Sequence, residues 1–415
     1  MEKLARRLGV RDAVVIGLSA MLGAGVFAAF APAASLAGGG VALLAALAVA
    51  GVVAWCNASS SAVLAARYPE SGGTYVYGRE RLGPFWGFLA GWGFVIGKTA
   101  SCAAMGLTIG AYLWPERARW VALAAVIALT AVNLRGVAKT ALAARVFLAV
   151  TLLVLAGVLA GGVRAVALDP VPLTGGGSAL GVLGAAGLLF FAFAGYARIA
   201  TLGEEVRDPA RTIPRAVAIA LTVVLALYAA LATLALLTLG AGRLAASKAP
   251  LVDVVTAAGW PWLAPVVRIG AGVAVVGVLL SLLAGVGRTA LAMARRGDLP
   301  RPLAAVHPVH RVPHVAELVV GAVVAALVMA ADLRGVIGFS SFAVLVYYAV
   351  ANASAWTLGG ARTRVVAAVG LTGCLAVAAS LPWRSAAAGL ALFALGAAVY
   401  AGRALIRRSR SSSSL

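Results

Sequence analysis

Gly17-Leu-Ser-Ala-Met-Leu-Gly-Ala-Gly-Val-Phe-Ala-Ala-Phe30 lies within an apolar segment, residues 12–36, that is long enough to cross a lipid bilayer. Two glycines, Gly23 and Gly25, flank Ala24 near the middle of this segment. Glycine is unfavourable inside a helix and lets the backbone unwind. In hydrocarbon, an unwound backbone survives only where it is buried in protein or lines a polar cavity. The stretch therefore predicts a spanning helix that is interrupted at mid-depth. The alternative is that the glycines only let two helices approach closely.

The composition of the chain places it in a membrane. Of its 415 residues, 63% are hydrophobic and 11% are charged, and the mean hydropathy is +1.01. A water-soluble domain cannot hide that much apolar surface, so we expect an all-α integral membrane protein. The first span is too long for a cleavable signal peptide. About twelve spans are predicted, near residues 12–36, 41–66, 84–113, 120–134, 141–163, 181–201, 215–239, 262–292, 315–331, 334–357, 364–381 and 386–404.

The net charge of +21 is unevenly distributed between the two sides of this topology. If the N-terminus is cytoplasmic, the inner connections carry roughly three times as many Lys and Arg residues as the outer ones. Such a bias indicates a multi-pass protein of the cell membrane with both termini in the cytoplasm, and it argues against a nucleic-acid-binding protein. Residues 405–415 form a basic, serine-rich tail that we expect to be solvated and to contact anionic lipid.

We expect no metal, cofactor or enzymatic activity. The chain has no phosphate-binding P-loop and no nucleophile–base pair inside its spans. The cysteines fall in separate predicted spans, and the histidines share one proline-rich connection, which favours buried thiols and a simple connector over metal ligands. These residues are Cys56, Cys102, Cys374, His307, His310 and His314.

Three further segments resemble amino acid permeases of the amino acid–polyamine–organocation superfamily. The first is Tyr68-Pro-Glu-Ser-Gly-Gly-Thr-Tyr-Val-Tyr77, and the second is Gly203-Glu-Glu-Val-Arg-Asp-Pro-Ala-Arg-Thr-Ile-Pro-Arg-Ala216. The third is Arg288-Thr-Ala-Leu-Ala-Met-Ala-Arg-Arg-Gly-Asp-Leu-Pro300. Together with the Gly23-Ala24-Gly25 triplet they follow one another in the order of that superfamily, and the resemblance covers residues 10–360.

The resemblance implies a leucine-transporter-like fold with a 5+5 inverted repeat and discontinuous helices 1 and 6. Residues 1–11 would precede the first repeat, helices 1–5 at residues 12–163. Residues 181–357 would form helices 6–10, and residues 364–404 would form helices 11 and 12. Helix 6 carries Phe193-Ala194-Gly195 in the position that corresponds to the triplet of helix 1. Paired interruptions of this kind indicate a binding site near the midplane.

Backbone groups at these interruptions suit a zwitterionic amino acid. Free N–H groups after Gly25, at the positive end of a helix dipole, suit the carboxylate. Carbonyls freed before Gly23 and around residues 192–194 suit the ammonium group, so no acidic side chain is required. Aromatic residues of helix 6 would line the pocket or, alternatively, only pack the core. The candidate substrate contacts are Ala20, Gly23, Ala24, Gly25, Val26, Phe191, Phe193, Ala194, Gly195 and Tyr196.

Helix 6 departs from the resembled superfamily after its Gly-aromatic pair. Many relatives carry an acidic residue there, whereas this chain has Ala197 and Arg198. Positive charge in a low-dielectric site disfavours cationic substrates, which indicates neutral amino acids. Alternatively, Arg198 lies at the cytoplasmic end and pairs with Glu204 or Glu205. These three residues are candidates for a cytoplasmic gate.

Lys98 lies in the middle of the predicted third helix. A lysine at the centre of a bilayer costs about 3 kcal/mol, so we expect it to be buried and functional. We hypothesise that it exchanges the proton that couples transport, since some proton-coupled relatives use a lysine of helix 5 and this chain has none at residues 149–153. The alternative is a fixed cation bonded to carbonyls. Sodium is the less favoured coupling ion, with Ser281 and carbonyls near Ala20 as its candidate site.

The sequence therefore predicts a secondary active transporter that moves amino acids by alternating access, with neutral amino acids as substrates and protons as the coupling ion. One alternative is an amino acid/polyamine exchanger or an exporter. A more remote one is a membrane nutrient sensor without transport.

Overall fold

The computed structural model describes residues 8–69, 72–136, 141–203 and 205–412, and most of them are helical. No strand forms among these residues, although Leu8 and Val206 make an isolated bridge. The helices are α1 (Val10–Met21), α2 (Ala24–Ala28), α3 (Phe30–Ala37), α4 (Gly40–Arg67), α5 (Thr74–Leu82), α6 (Pro84–Leu113), α7 (Ala118–Leu134), α8 (Ala141–Leu168), α9 (Ala179–Phe193), α10 (Ala197–Ala200), α11 (Pro209–Ala246), α12 (Pro250–Ala257), α13 (Ala264–Arg295), α14 (His314–Ala330), α15 (Leu333–Trp356), α16 (Ala361–Ala379) and α17 (Trp383–Ser412).

These helices confirm the predicted all-α membrane architecture with about twelve spans. Within the described residues, eleven helical segments are long and apolar enough to cross a membrane, and α14 is a shorter apolar twelfth. Helices satisfy their own backbone hydrogen bonds, which is why long apolar segments adopt this form in lipid. Span 1 consists of α1 to α3, and span 6 consists of α9, a 3-10 turn at Ala194–Tyr196 and α10. Spans 2 to 5 are α4, α6, α7 and α8; span 7 is α11; spans 8 to 12 are α13 to α17.

The two remaining helices, α5 and α12, lie in connections. Residues 67–83 between spans 2 and 3 contain α5, and residues 240–261 between spans 7 and 8 contain α12. Span 7 begins at Pro209, six residues before the predicted start, and its regular helix ends at a kink at Gly240, which has φ 72° and ψ 162°. The residues of α11 that follow Gly240 belong to the connection. Only glycine adopts that backbone conformation without strain. The kink turns the last residues of α11 away from the direction of the span.

Contacts between the connections show which of them lie at the same end of the helix bundle. At one end, Arg79 of the 2–3 connection contacts Asp298 of the 8–9 connection, and the Leu8 N–H donates to the Glu205 carbonyl. We call this end, which carries Arg79, Arg135, Arg296 and Arg403, the basic end. At the opposite end, the Gly40 N–H donates to the carbonyl of Thr174 at 3.0 Å. Successive spans therefore alternate in direction, as a multi-pass topology requires.

Asp298 holds several elements together at the basic end. Its side chain is buried and accepts hydrogen bonds from the Tyr75 hydroxyl at 2.6 Å and from Arg79 at 2.8 Å. Arg403 of span 12 donates to the Asp298 backbone carbonyl at 2.6 Å, with its other terminal nitrogen 3.6 Å from the carboxylate. Burial, with the hydrogen bond to Asp298, raises the pKa of Tyr75 to about 12, so the hydroxyl stays a donor at neutral pH. The cluster ties α5 to the end of span 8 and to span 12.

Candidate binding site at the interrupted helices

Span 1 is interrupted between Met21 and Ala24. Leu22 leaves the helical region with ψ 54°, and Gly23 has φ −114° and ψ −142°. Helical geometry resumes at Ala24 and continues through Ala29, which has φ −79° and ψ −25°. The second half of the span is thus a single helical segment from Ala24 to Ala37. The predicted interruption is present, and its non-helical residues are Leu22 and Gly23.

Span 6 is disturbed less than span 1. Its α-helix ends at Phe193, a 3-10 turn follows at Ala194–Tyr196, and α10 begins at Ala197. Ala194 has φ −63° and ψ 0°, so the turn is tightened rather than extended. Short 3-10 stretches inside a helix often mark functional hinges. The discontinuity of helix 6 is therefore a change of helical winding, not the unwound backbone seen in span 1.

Two glycines bring the interruptions into direct contact. A methyl group on Gly25 would overlap the backbone of Ala192 in span 6. A methyl group on Gly195 would overlap the carbonyl of Ala20 in span 1 and lie 2.8 Å from the Met21 nitrogen. Both interpretations of the glycine triplet thus apply at different positions. Gly23 lies at the interruption itself, and Gly25 allows the close approach of span 6.

One tyrosine of span 7 bonds to both interruptions. The hydroxyl of Tyr228 lies 2.7 Å from the Met21 carbonyl oxygen and 3.1 Å from the Ala192 carbonyl oxygen. The residue is fully buried, and its ring packs edge-on against Phe193 with centroids 5.2 Å apart. The Met21 carbonyl also accepts the Gly23 N–H at 2.9 Å. The Tyr228 hydroxyl is therefore an additional donor, placed where the regular hydrogen bonds of the helix are interrupted and polar groups in hydrocarbon need partners. Sequence reasoning missed Tyr228, although a lone tyrosine within the apolar stretch of residues 223–236 was a visible signal.

Lys98 of span 3 contacts the 3-10 turn of span 6. Its ammonium nitrogen donates to the Ala194 carbonyl oxygen at 3.3 Å, and the residue is 7% exposed. A buried ammonium group needs such polar partners. The predicted coupling residue and the predicted binding residues of span 6 therefore lie side by side.

The predicted aromatic residues of span 6 are all buried. Phe193 and Tyr196 have no exposed surface, and Phe191 is 8% exposed. Phe193 contacts Tyr228, and the ring of Tyr196 lies 5.0 Å from that of Tyr348 in span 10. In this conformation Phe193 and Tyr196 contribute to the packed core around the interruptions.

Comparison with known proteins identifies the family of the chain. The sequence model of the family described as "Amino acid permease" matches residues 12–377. The chain belongs to the amino acid permease family. An uncharacterized transporter of Mycobacterium tuberculosis is 61% identical to the permease over 419 residues, which cover all of this chain and 95% of the relative. The permease is therefore a multi-pass membrane protein that transports amino acids, and not an enzyme.

Relatives with more specific names are more distant. The branched-chain amino acid permease BcaP of Bacillus subtilis is 27% identical over 383 residues, covering 84% of the permease and 81% of BcaP. The human cationic amino acid transporter 4 is 28% identical over 376 residues, covering 84% of the permease and 59% of the relative. These two identities are nearly equal, so they do not distinguish one named substrate class from the other.

The remaining predicted site residues of the permease lie around the interruptions. Ala24 and Val26 are fully buried, and Ala20 is half-buried on the last turn before the break. Ser281 lies one turn beyond Val278 of span 8, and Val278 is the residue that a methyl group on Gly23 would meet. The geometry thus places Ser281 near span 1 without bonding it to Ala20.

The proposed gate residues lie at the basic end of span 6. Arg198 is half-buried in α10. It lies close enough to Glu205 and Arg288 for electrostatic interaction, attractive with Glu205 and repulsive with Arg288. Among the described residues, Arg198 and Glu205 do not form an ion pair. Glu204 lies outside the described residues.

A buried polar cluster behind span 6 was not predicted. Asn352 of span 10 donates to the side-chain oxygen of Asn57 in span 2 at 2.6 Å, and the thiol of Cys374 lies 3.2 Å from the same oxygen. Both asparagines are completely buried. Asparagines inside apolar spans are rare enough to have been a signal, because an amide requires a partner in hydrocarbon. Cys374 is the buried structural thiol that was expected, and it has a polar neighbour.

Proposed function

We propose that the permease is a secondary active transporter that carries neutral amino acids across the cell membrane by alternating access, coupled to protons. The observation that carries this proposal is the close contact between spans 1 and 6 beside their interruptions, at Gly25 and Gly195. Among the described residues, no acidic side chain takes part in this contact. Transporters place substrates where discontinuous helices meet at mid-depth. Alternating access would then separate and rejoin spans 1 and 6 around the bound substrate.

The substrate zwitterion would bind mainly to backbone groups. The helical segment that begins at Ala24 presents unpaired N–H groups, which suit a carboxylate. The carbonyl oxygens of Met21 and Ala192 lie 2.7 and 3.1 Å from the Tyr228 hydroxyl. The Met21 oxygen also accepts the Gly23 N–H at 2.9 Å, so an ammonium group would bind to the Ala192 oxygen, or to the Met21 oxygen in place of the Tyr228 hydroxyl. Phe191 is the least buried of the three predicted aromatics and would contact the substrate side chain.

The charges around the site favour a neutral substrate over a cationic one. Lys98 lies against the turn of span 6, and Arg198 lies two residues after the end of that turn at Tyr196. A second positive charge on the substrate would meet repulsion in a low dielectric medium. The name of BcaP, a branched-chain amino acid permease, agrees with a neutral substrate. Cationic amino acids are the second candidate, because several relatives are named as cationic amino acid transporters.

A thermal-shift screen of the purified protein tests the substrate class. Each proteinogenic amino acid and the common polyamines would be added to protein in detergent, and the unfolding midpoint measured. A ligand at 100 times its Kd stabilises the folded state by about 2.7 kcal/mol. We expect neutral amino acids to raise the midpoint, and counterflow in proteoliposomes to follow the same ranking. Stabilisation by arginine, lysine or polyamines alone would overturn the neutral assignment.

Lys98 is the proposed proton-coupling residue. When protonated, it places a positive charge against the Ala194 carbonyl, and loss of that proton would change the field at the adjoining substrate site. The Lys98→Met variant should still bind substrate, but its uptake in proteoliposomes should no longer rise with an inward proton gradient. Cys102→Ala, one turn further along span 3, removes a buried thiol without removing charge and is the matched control. Unchanged uptake and pH dependence in Lys98→Met would refute the coupling role. Stimulation by sodium instead of protons would point to the region of Ser281.

We also propose that the basic end faces the cytoplasm, with both termini inside the cell. The excess of Lys and Arg at that end is the supporting observation. A cysteine introduced at Arg301, an exposed position in the connection between spans 8 and 9, should react with a membrane-impermeant maleimide only after the cells are opened. Labelling of intact cells would reverse the orientation.

A further inference from the structure

A cavity remote from the interrupted helices lies at the basic end between spans 4 and 9. Its volume is about 380 Å³, and its wall includes Arg135 and three histidines of the 8–9 connection. Arg135 follows the last residue of α7, and His314 is the first residue of α14. The opening therefore lies at the level where spans 4 and 9 end, which is where lipid headgroups meet a membrane protein.

The histidine-containing loop is a compact turn held by its own backbone. The His307 N–H donates to the Val312 carbonyl at 2.8 Å, and the Arg311 N–H donates to the His307 carbonyl at 3.0 Å. Gly136, at φ 69°, lies against this loop, and a methyl group there would approach the His310 carbonyl oxygen to 2.8 Å. Only glycine fits that conformation and that distance comfortably. The wall of the cavity is thus fixed in place by backbone contacts.

The imidazole ring of His307 contacts the rings of both other histidines at this wall. The ring of His307 lies 4.8 Å from that of His310 and 5.5 Å from that of His314. The Nδ1 atom of His307 accepts the N–H groups of Val309 and His310, both at 3.2 Å. Its Nε2 atom is therefore the one that carries hydrogen and is free to donate. The Nδ1 atom of His314 is buried and has no hydrogen-bond partner within the described part of the chain, so the described residues of the loop do not satisfy all of its polar groups.

These donors suit an anion and not a metal ion. Among the described residues, no group of three or more His, Cys, Asp or Glu side chains has the arrangement to hold a metal. The cavity wall includes an arginine and no carboxylate. The acidic residue nearest in sequence to the three histidines is Glu317, which lies buried against Gly287 of span 8. There it interacts electrostatically with Arg288. Guanidinium and imidazole N–H groups together are typical partners of phosphate oxygens.

The apolar part of the cavity wall indicates which kind of molecule carries the anionic group. Leu134 and Leu318 complete the cavity, and Leu318 is 51% exposed on the outer surface of span 9. Basic pockets between spans at a membrane surface are suited to lipid headgroups. We propose that this cavity binds an anionic phosphate group, the chemistry shared by a negatively charged phospholipid headgroup and free inorganic phosphate. The exposed leucine favours the lipid, whose acyl chains would lie along span 9.

Native mass spectrometry of the purified full-length protein tests this proposal. Phosphatidylglycerol and phosphatidylcholine with identical acyl chains would be titrated separately, since they differ in net charge but share a phosphate. We expect phosphatidylglycerol to bind roughly tenfold more tightly, a preference of the size that one or two basic contacts provide. Inorganic phosphate would be added as the second probe, alone and in competition with phosphatidylglycerol.

The variant Arg135→Gln/His310→Gln removes two exposed donors from the cavity wall. It should lose most of the preference for phosphatidylglycerol. Arg301→Gln makes the same change of charge at an exposed position of the same end that does not line the cavity, and it should bind as the unmodified protein does. Each single variant, Arg135→Gln and His310→Gln, would be measured as well, so that the test survives if the double variant unfolds.

Each outcome decides the proposal. A preference for phosphatidylglycerol that the double variant loses and the control keeps supports a lipid headgroup site. Phosphate binding that depends on the same two residues, without a lipid preference, supports free phosphate as the occupant. Equal binding of the two lipids together with no binding of phosphate overturns the proposal. It is also overturned if the lipid preference persists unchanged in every cavity variant.

Discussion

Replacing Tyr228 with phenylalanine isolates the hydrogen bonds that join the two interruptions. The hydroxyl oxygen lies 2.7 Å from the Met21 carbonyl oxygen and 3.1 Å from the Ala192 carbonyl oxygen. The phenylalanine ring would keep the contacts with Phe193 at 5.2 Å and with Phe30 at 6.3 Å. Because the substitution leaves no large cavity, the change in the free energy of unfolding measures mainly the loss of the hydroxyl group.

The expected loss can be estimated from the number of donors. A tyrosine hydroxyl has one hydrogen, so its donation is divided between the two carbonyls and amounts to about one hydrogen bond in total. A net hydrogen bond contributes about 0.5–1.5 kcal/mol, and measured values between membrane helices average about 0.6 and reach about 1.7 kcal/mol. We therefore expect Tyr228→Phe to lower the free energy of unfolding by about 1 kcal/mol, roughly a fivefold change in the unfolding equilibrium.

Unfolding of the purified variant in mild detergent, followed by intrinsic tryptophan fluorescence, measures this loss. Tyr77→Phe is the matched control, because Tyr77 is equally buried and its hydroxyl has no hydrogen-bond partner among the described residues. The control should be as stable as the unmodified protein, or slightly more stable. If Tyr228→Phe and Tyr77→Phe unfold together, the hydroxyl of Tyr228 does not stabilise the interruptions. A loss above about 3 kcal/mol would equally refute the estimate, since one hydroxyl cannot account for it.

Two further substitutions test other contacts, and Lys98→Met, described above, tests the coupling role. Gly195→Ala should lose about 1–3 kcal/mol of stability and most uptake, because its methyl group overlaps the backbone of span 1. Gly242→Ala, where a methyl group meets nothing within 4 Å, should retain both in the same unfolding and uptake measurements. Asp298→Asn should lower the unfolding free energy by about 2 kcal/mol, since it leaves partly buried arginines unpaired. Asp208→Asn, which weakens an exposed pair, should cost less than about 1 kcal/mol, and equal losses in the two would contradict the bridging role of Asp298.

The spans were predictable because their apolar segments are long and mostly uncharged. The third span, expected at residues 84–113, begins at Pro84 and ends at Leu113. Proline at the first helical position and a glycine before it mark that start in the sequence. The end of span 7, expected at residue 239, coincides with the non-helical Gly240. Its start was predicted less well, since α11 begins at Pro209, six residues before the expected position. A glycine near the end of an apolar segment is a common helix terminator, which is why that end was visible in the sequence.

The site was predictable in position but not in geometry. Glycines indicate where a helix departs from regularity, and the interruption near Gly23 follows from them. They do not reveal whether a neighbouring span presses against the glycine, which is the case at Gly25 and Gly195. The role of Tyr228 depends on a contact between residues 207 positions apart in the chain. Residue types within span 7 alone cannot specify which carbonyl such a hydroxyl reaches.

The contact between Gly25 and Ala192 has a mechanical consequence. The backbones of spans 1 and 6 approach each other closely there, and again at Gly195 and Ala20, because neither glycine contributes a side chain to the contact. Neither half-helix can move towards the other at these two points without a steric clash. In the alternating-access mechanism proposed above, the two spans would therefore separate together, and passage of a solute would be tied to that displacement.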